Sequence, residues 1–531
     1  ISINVLLRSS FHFSTFKADK LGLNNVKDML EDFVLIPSTA IVLISSAALL
    51  TIYGMAKKSH LPPSPGWSLP VIGHLYMMES NPRKQFLDWG KRLGPLVSLK
   101  MGSHLAVVLY GYDTIKEAFV KHADVFSNRP KTFITQILGK DKGFVTSTNQ
   151  WKKQRKVGSE ILRHLGLGSN VMEDKVQEGI SELIDQLDKS QCAPINPRRL
   201  ISLSISRIIT TLVFGQDFRY KDEQMAECAS LIGDQVSLLE GAAVLNFLPF
   251  LRHLPGDIFK LQKVLATSEK LEEDLIAKQI QLRQESSDLS EDFICCYLKK
   301  IRENGKKLDS AINEENLVMV VSNLFAAGTE TTCTTLCWAL LYLLHHPDVY
   351  AKCYRDIVTH LGTETRPRAK DQHYLKYISA TIMEVQRISS IAPFSLYHSA
   401  SRDIMFKDYL IPKGTIIIPS LDSVLLSEEV WGDPRTFRPE RFLDAAGQEL
   451  IDKEEFIPFS IGNRACLGKA LAKMELFLFL TSLVQRYTIS VPKGASLPSL
   501  KDRFGLSCSP LPFEICFVPR NSSSRPAQES S

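Results

Sequence analysis

The chain has 531 residues, of which 44% are apolar and 23% charged, with a formal net charge of +5. That length can bury a large core, and the composition is that of an ordinary globular protein. The small positive balance argues against a nucleic-acid binder, which carries a basic stripe, and no segment repeats at a fixed period, which sets aside solenoids and propellers.

In chain order, residues 1–32 form an extension of unassigned role. Its first half is rich in Arg and Ser, as organelle transit peptides are, but Asp19, Asp28, Glu31 and Asp32 follow. Residues 33–56 carry no charge and would span about 36 Å as a helix, enough to cross a bilayer. Lys57 and Lys58 come directly behind this run, and Glu31 and Asp32 precede it, which places its C-terminal side in the cytosol. The run is too long for a signal-peptide core and ends in no A-x-A site, so the expectation is a transmembrane anchor. Residues 57–73 are basic and then proline-rich, a stiff extended hinge.

Residues 74–519 read as one large, mainly helical domain with a minor β part. LVSLK and LAVVLY, on either side of Met101-Gly102-Ser103, predict a hairpin. From Asp113 to Pro347 the pattern is helical, with amphipathic stretches over residues 176–187 and 261–284. The apolar segment 244–259 is expected either to touch a bilayer or to be a core loop. Glu314–His345 predicts one long helix of about 48 Å, apolar nearly all round and therefore central. AAGTETT, residues 326–332, interrupts it with Gly328, Thr329, Glu330, Thr331 and Thr332. Threonines can satisfy themselves on the carbonyl one turn back, but a glycine, an acid and hydroxyls together predict a kinked site that handles protons. A hairpin is expected over residues 404–419 with its turn at Pro412-Lys413-Gly414. A last strand falls within residues 513–518, and 520–531 form a solvated tail.

The ten cysteines include no CxxC pair, which argues against a zinc site and against a secreted disulfide framework. Cys466 stands apart, in PFSIGNRACLG, residues 458–468. A thiol that binds metal must be a thiolate, with donors and positive charge close by. Gly462 and Gly468 let backbone approach a flat cofactor, Arg464 can pair with an anionic group on it, and Phe459 can shield the sulfur. A single thiolate without neighbouring ligands suits haem iron better than zinc or an iron–sulfur cluster.

These residues resemble the FxxGxRxCxG haem-binding loop of the cytochrome P450 family. Glu384 and Arg387 are similar to its ExxR motif, and Arg441 in FRPERF to the third member of its Glu–Arg–Arg network. AGTETT resembles the oxygen-activating stretch of its central helix, and Trp151 and Arg155 in WKKQRK its WxxxR. The resemblance covers about residues 60–519 and implies the cytochrome P450 fold behind an N-terminal transmembrane helix. It implies haem b with Cys466 as the iron ligand, the propionates held by Arg464, Trp151, Arg155 and His398, and Thr331 and Glu330 serving oxygen activation. Glu384, Arg387 and Arg441 would be structural. Tyr397 precedes His398 where relatives often have proline, and Lys142 stands where many place another propionate-binding arginine.

The resemblance is strongest to the microsomal drug- and steroid-hydroxylating branch. It implies a monooxygenase that inserts one oxygen atom from O2 into an apolar small molecule, a steroid, lipid or xenobiotic. Electrons would come from NADPH through a membrane-bound flavin reductase, with cytochrome b5 as a second donor, at the endoplasmic reticulum membrane. Mitochondrial import is the lesser alternative. Lys152, Lys153, Lys156, Lys469 and Lys473 would form a basic docking face or a merely solvated one. Substrate contacts are expected from residues 128–142, Ala326, Ala327 and residues 390–394. A haem-thiolate isomerase or dehydratase, and a haem carrier or sensor without turnover, are the competing functions.

Overall fold

The computed structural model describes residues 60–166, 170–215, 230–285 apart from 232, 236 and 237, 292–303 and 311–520. The expected anchor at 33–56 and the tail at 521–531 lie outside the described residues, and no described helix is long and apolar enough to cross a membrane.

The principal elements are α1 (Arg83–Leu93), β1 (Leu96–Met101), β2 (His104–Leu109), α2 (Trp151–His164), α3 (Asn170–Lys189), α4 (Pro197–Phe214), α5 (Glu314–His345), α6 (Pro347–Leu361), α7 (Lys376–Ser389), β3 (His398–Ser399), β4 (Ile416–Pro419), α8 (Lys469–Arg486), β5 (Tyr487–Ser490) and β6 (Cys516–Pro519). The protein is mainly helical with a small strand part, as its sequence implies. The helix ends follow local chemistry. Asn196 caps α4 with its side chain, and Pro197 takes the first helical position, where its missing N–H costs nothing. Asn313 accepts from Asn316 N to start α5, and α6 begins on Pro347.

Four strands form a sheet in the order β1-β2-β4-β3. β1 and β2 are the expected hairpin, with Met101 opposite His104 and Gly102 turning at φ +61°. The second expected hairpin forms differently. Ile404–Phe406 pairs with Tyr409–Ile411, and the turn is Lys407-Asp408, both at positive φ. Two positive-φ residues match the twist of paired strands. Pro412–Gly414 is instead the passage to β4, which runs parallel to β2.

The proline-rich segment is tied down rather than free. Pro63 O accepts from Ser98 N at 2.8 Å and Pro62 O from Ser98 Oγ at 2.6 Å, so it lies along β1.

α5 runs through the middle of the largest core, packed on α4, α7 and α8. It is one helix from Glu314 to His345, through the AAGTETT segment. Gly328 has a packing reason, since a Cβ there would lie 2.7 Å from Ile209 Cδ1 of α4. Glycine lets the two helices approach.

Candidate active site

The loop before α8 places Cys466 by backbone chemistry. Cys466 N donates to Phe459 O at 3.0 Å. Gly462 turns at φ +78°, and a Cβ on it would meet Phe119 O at 2.1 Å, so only glycine fits there. Gly468 caps α8, putting the positive end of that helix beside the sulfur. Cys466 is open on one side and crowded on the others. The crowding pushes its thiol up, against the pull of the Gly468 amide and the charges of Arg155 and Lys469. Phe459 is half-buried near the sulfur loop, with Lys469 Nζ 6.0 Å from its ring centre.

Three guanidiniums converge behind this loop. Arg464 spreads its fork over the carbonyls of Ser127, Phe144 and Ser147 at 2.7–2.8 Å and lies 3.8 Å over the buried Trp151 ring. Arg155 donates to the carbonyl of Ala465. Arg129 donates to the carbonyls of Val145, Leu396 and Tyr397. None of the three has a carboxylate partner among the described residues. Burial, reinforced by Arg129 and Arg155, pushes Arg464 down to about 8, and burial with Arg155 pushes Arg129 down to about 9. Cations held this way call for an anion.

Arg129 is not among the propionate-binding residues that the resemblance implies, and Lys142 stands where relatives place such an arginine. Lys142 instead pairs with Glu315 at the start of α5, away from the arginines. The only local signal for Arg129 is its place before Pro130, which biases it to extended backbone. Its three carbonyl partners come from segments far apart in the chain.

His398 is buried at the start of β3, its ring stacked on Phe119 with centroids 4.1 Å apart. Its Nδ1 is 2.7 Å from Phe126 O, so Nδ1 carries the hydrogen and donates. Burial, then Arg129 and Arg464, hold the imidazole well below its ordinary value.

On α5, Ala327 and Thr331 are exposed although much of the helix around them is buried. Thr331 Oγ1 donates to Ala327 O at 2.7 Å, which leaves its lone pairs free to accept. Glu330 is aimed elsewhere: its Oε1 accepts from Arg198 of α4, from Thr334 at 3.1 Å and from Ser507 at 3.0 Å.

The structural triad forms as expected. Arg387 binds Glu384 through two parallel hydrogen bonds of 2.7 and 2.8 Å, and Arg441 Nε reaches the same carboxylate at 3.0 Å. The remaining donors go to the carbonyls of Leu425, Pro434, Trp431, Asp433 and Thr436, so every charge is compensated.

A thiol at a helix N-terminus, buried guanidiniums lacking an anion and an open strip on the central helix suit haem: iron for the sulfur, propionates for the arginines. The family model described as cytochrome P450 matches residues 62–517. The chain belongs to the cytochrome P450 family. It is a haem-thiolate monooxygenase. Relatives of this P450 include the cytochrome P450 2U1 of Bos taurus, 38% identical over 82% of this chain and 80% of that protein. The vitamin D(3) 25-hydroxylase of Sus scrofa is 37% identical over 86% of this chain and 93% of its own. Cytochrome P450 2D6 of Homo sapiens is 38% identical, with the same coverage.

Proposed function

We propose that this P450 oxygenates an apolar small molecule of the steroid, lipid or xenobiotic class, with Cys466 as the ligand of haem iron and Arg129, Arg155, Arg464 and His398 holding its propionates. The observation that carries this reading is the convergence of three carboxylate-free guanidiniums on the loop of Cys466. Trp151 supports Arg464 from beneath through its ring face, a contact worth about 2 kcal/mol when desolvated. The bound haem supplies dioxygen binding and cleavage of the O–O bond. The protein supplies a dry, oriented pocket and protons.

Thr331 is the proton-handling group in this reading. Because its hydroxyl donates to Ala327 O, its free lone pairs would accept from, and hold in place, a water that carries protons in from solvent. Glu330, bound to Arg198, supports that turn of α5 and can join proton transfer only when Arg198 lets go. Ala326, Ala327 and residues 390–394 line the substrate side. Relatives named for vitamin D(3) hydroxylation support a sterol-sized pocket.

Electrons come from NADPH through a flavin reductase, with cytochrome b5 as a second donor. A depression of about 420 Å³ lined by Trp151, Lys152, Arg155, Lys156, Arg163 and Leu467 among others gives an acidic partner a basic seat next to the Cys466 loop. We place the enzyme at the endoplasmic reticulum membrane, anchored by residues 33–56, with the catalytic domain in the cytosol. Phe250, Leu254 and Ile258 are exposed while Leu245 and Leu248 are buried, so 244–259 serves both the core and the lipid surface.

Replacing Cys466 by Ser tests the centre of this reading. The thiolate-type absorbance of the reduced carbon monoxide complex should disappear, and its survival would reassign the ligand.

A further inference from the structure

Glu475 is a carboxyl group that neither the site nor the buried triad uses. It lies in the second turn of α8, in the interface with α5, and is only 1% exposed. Its Oε2 accepts from Thr332 Oγ1 at 3.1 Å, and its Oε1 has no hydrogen-bond partner among the described residues. Several charged groups on the helices packed against α8 are engaged elsewhere. Lys352 of α6 pairs with Glu440, and Asp356 of α6 accepts from the Tyr377 and Ile378 amides. Arg387 of α7 binds Glu384, Glu173 of α3 binds Arg368, and Asp188 of α3 binds Arg486. On α8 itself Lys473 is exposed. On α5, Glu330 is bound to Arg198. Burial and the Thr332 hydroxyl alone set the electrostatics of Glu475.

A dry carboxylate without a cation is among the costliest groups a core can hold. Thr332 also departs from its neighbours. Thr331 and Thr335 donate back to carbonyls of their own helix, whereas Thr332 spends its hydrogen across the interface.

We propose that Glu475 is kept as a neutral acid and acts as a positioning residue, tying the Thr331–Thr332 turn of α5 to the helix that leads away from Cys466. Burial pushes its carboxyl up to about 8, with the Thr332 hydroxyl pulling slightly the other way. At neutral pH the side chain thus holds its proton and accepts from Thr332, joining the element that carries the hydroxyl to the element that follows the thiolate. Ionisation would place an uncompensated charge between them. The effect on proton handling rests on the reading of Thr331 given above; the neutral acid does not.

Two measurements on the full-length haem-loaded enzyme separate these parts. In the first, thermal unfolding of wild type and Glu475→Gln is followed from pH 5.5 to 9. Between the ordinary carboxyl range and about pH 8 the folded state keeps a proton that the unfolded state has released. The wild-type folding constant therefore falls, relative to the variant, by about tenfold per pH unit until pH 8 and then levels. The difference in melting temperature should follow that course, and parallel curves would overturn the neutral acid.

In the second, product formed per NADPH is measured for Thr332→Val, Glu475→Leu and the double variant. Each single change should lower it several-fold, the double should be no worse than the worse single, and Glu475→Gln should stay near wild type. Additive losses or unchanged coupling would overturn the positioning role. Thr332→Val keeps size and shape, so it carries this arm even where Glu475→Leu fails to fold. Failure of the Thr331 reading shows separately, as unchanged coupling in Thr331→Ala.

Discussion

Thr331 shows how much one hydroxyl is asked to do. It is exposed on a central helix, it donates to the carbonyl of Ala327, and it lies beside Gly328 and Glu330. That hydrogen bond is also what an idle helix threonine makes, so geometry alone does not separate the two roles, and turnover does. Proton delivery by a placed side chain contributes about 10²–10⁴-fold to a rate. In Thr331→Ala, haem content and the carbon monoxide spectrum should persist while NADPH is still consumed. Hydrogen peroxide should rise and oxygenated product per NADPH fall. Equal product per NADPH would return Thr331 to a structural part. Arg129 makes the complementary point. Its neighbour Pro130 biases only its backbone, and three carbonyls and two other guanidiniums reach it through the fold.

Between elements, the contact of α4 with α5 is set by a glycine. A methyl at Gly328 would press on Ile209 Cδ1 at 2.7 Å and on Cγ1 at 3.1 Å. Gly328→Ala gains helix propensity but overpacks the contact, which typically costs about 1–3 kcal/mol. Its melting temperature should therefore fall. Adding Ile209→Val removes the clashing methyl and should recover most of the loss, whereas additive destabilisation would show that Gly328 serves something other than packing. The bounds of α5 were legible in sequence, because a mostly apolar helical pattern runs from Glu314 and stops at Pro347; the Asn313 cap came from the structure. The packing role of Gly328 was not legible: a glycine inside a helix reads as a weak point until its neighbour is known. The hairpin at Ile404–Ile411 was misplaced for a similar reason. Lys407-Asp408 lacks the usual turn glycine, while Pro412–Gly414 does turn, with Thr415 N donating to Pro412 O at 3.2 Å, but leads into β4 rather than closing the hairpin.

On the scale of the whole molecule, the proposed basic docking face and membrane anchor are open to direct test. Lys152 and Lys153 are exposed, and Lys152 lines the basic depression that also holds Arg155 and Leu467. Reversing both to Glu should raise the apparent KM for the reductase and flatten its dependence on salt, leaving substrate affinity unchanged. Unaltered reductase kinetics would remove the two lysines from the docking face. Deleting residues 1–56 should release much of the enzyme from membranes with haem still bound. Tight residual binding would point to Phe250, Leu254 and Ile258, and import of the full chain into the mitochondrial matrix would overturn the placement.

By itself the sequence determined the family, the Glu384–Arg387 pair and the central helix. Each is written in local patterns, where backbone periodicity and local hydrogen bonding impose the spacing, whereas Arg441 joins the pair from 57 residues beyond Glu384. Tertiary structure alone decided that Arg129 rather than Lys142 joins the arginine cluster, that Glu330 is held by Arg198 and Ser507, and that Gly328 faces Ile209. It also decided that Glu475 meets Thr332, with no cationic partner for Glu475 among the described residues. Burial, charge compensation and close approach depend on what the chain brings from elsewhere, and no local pattern carries that information.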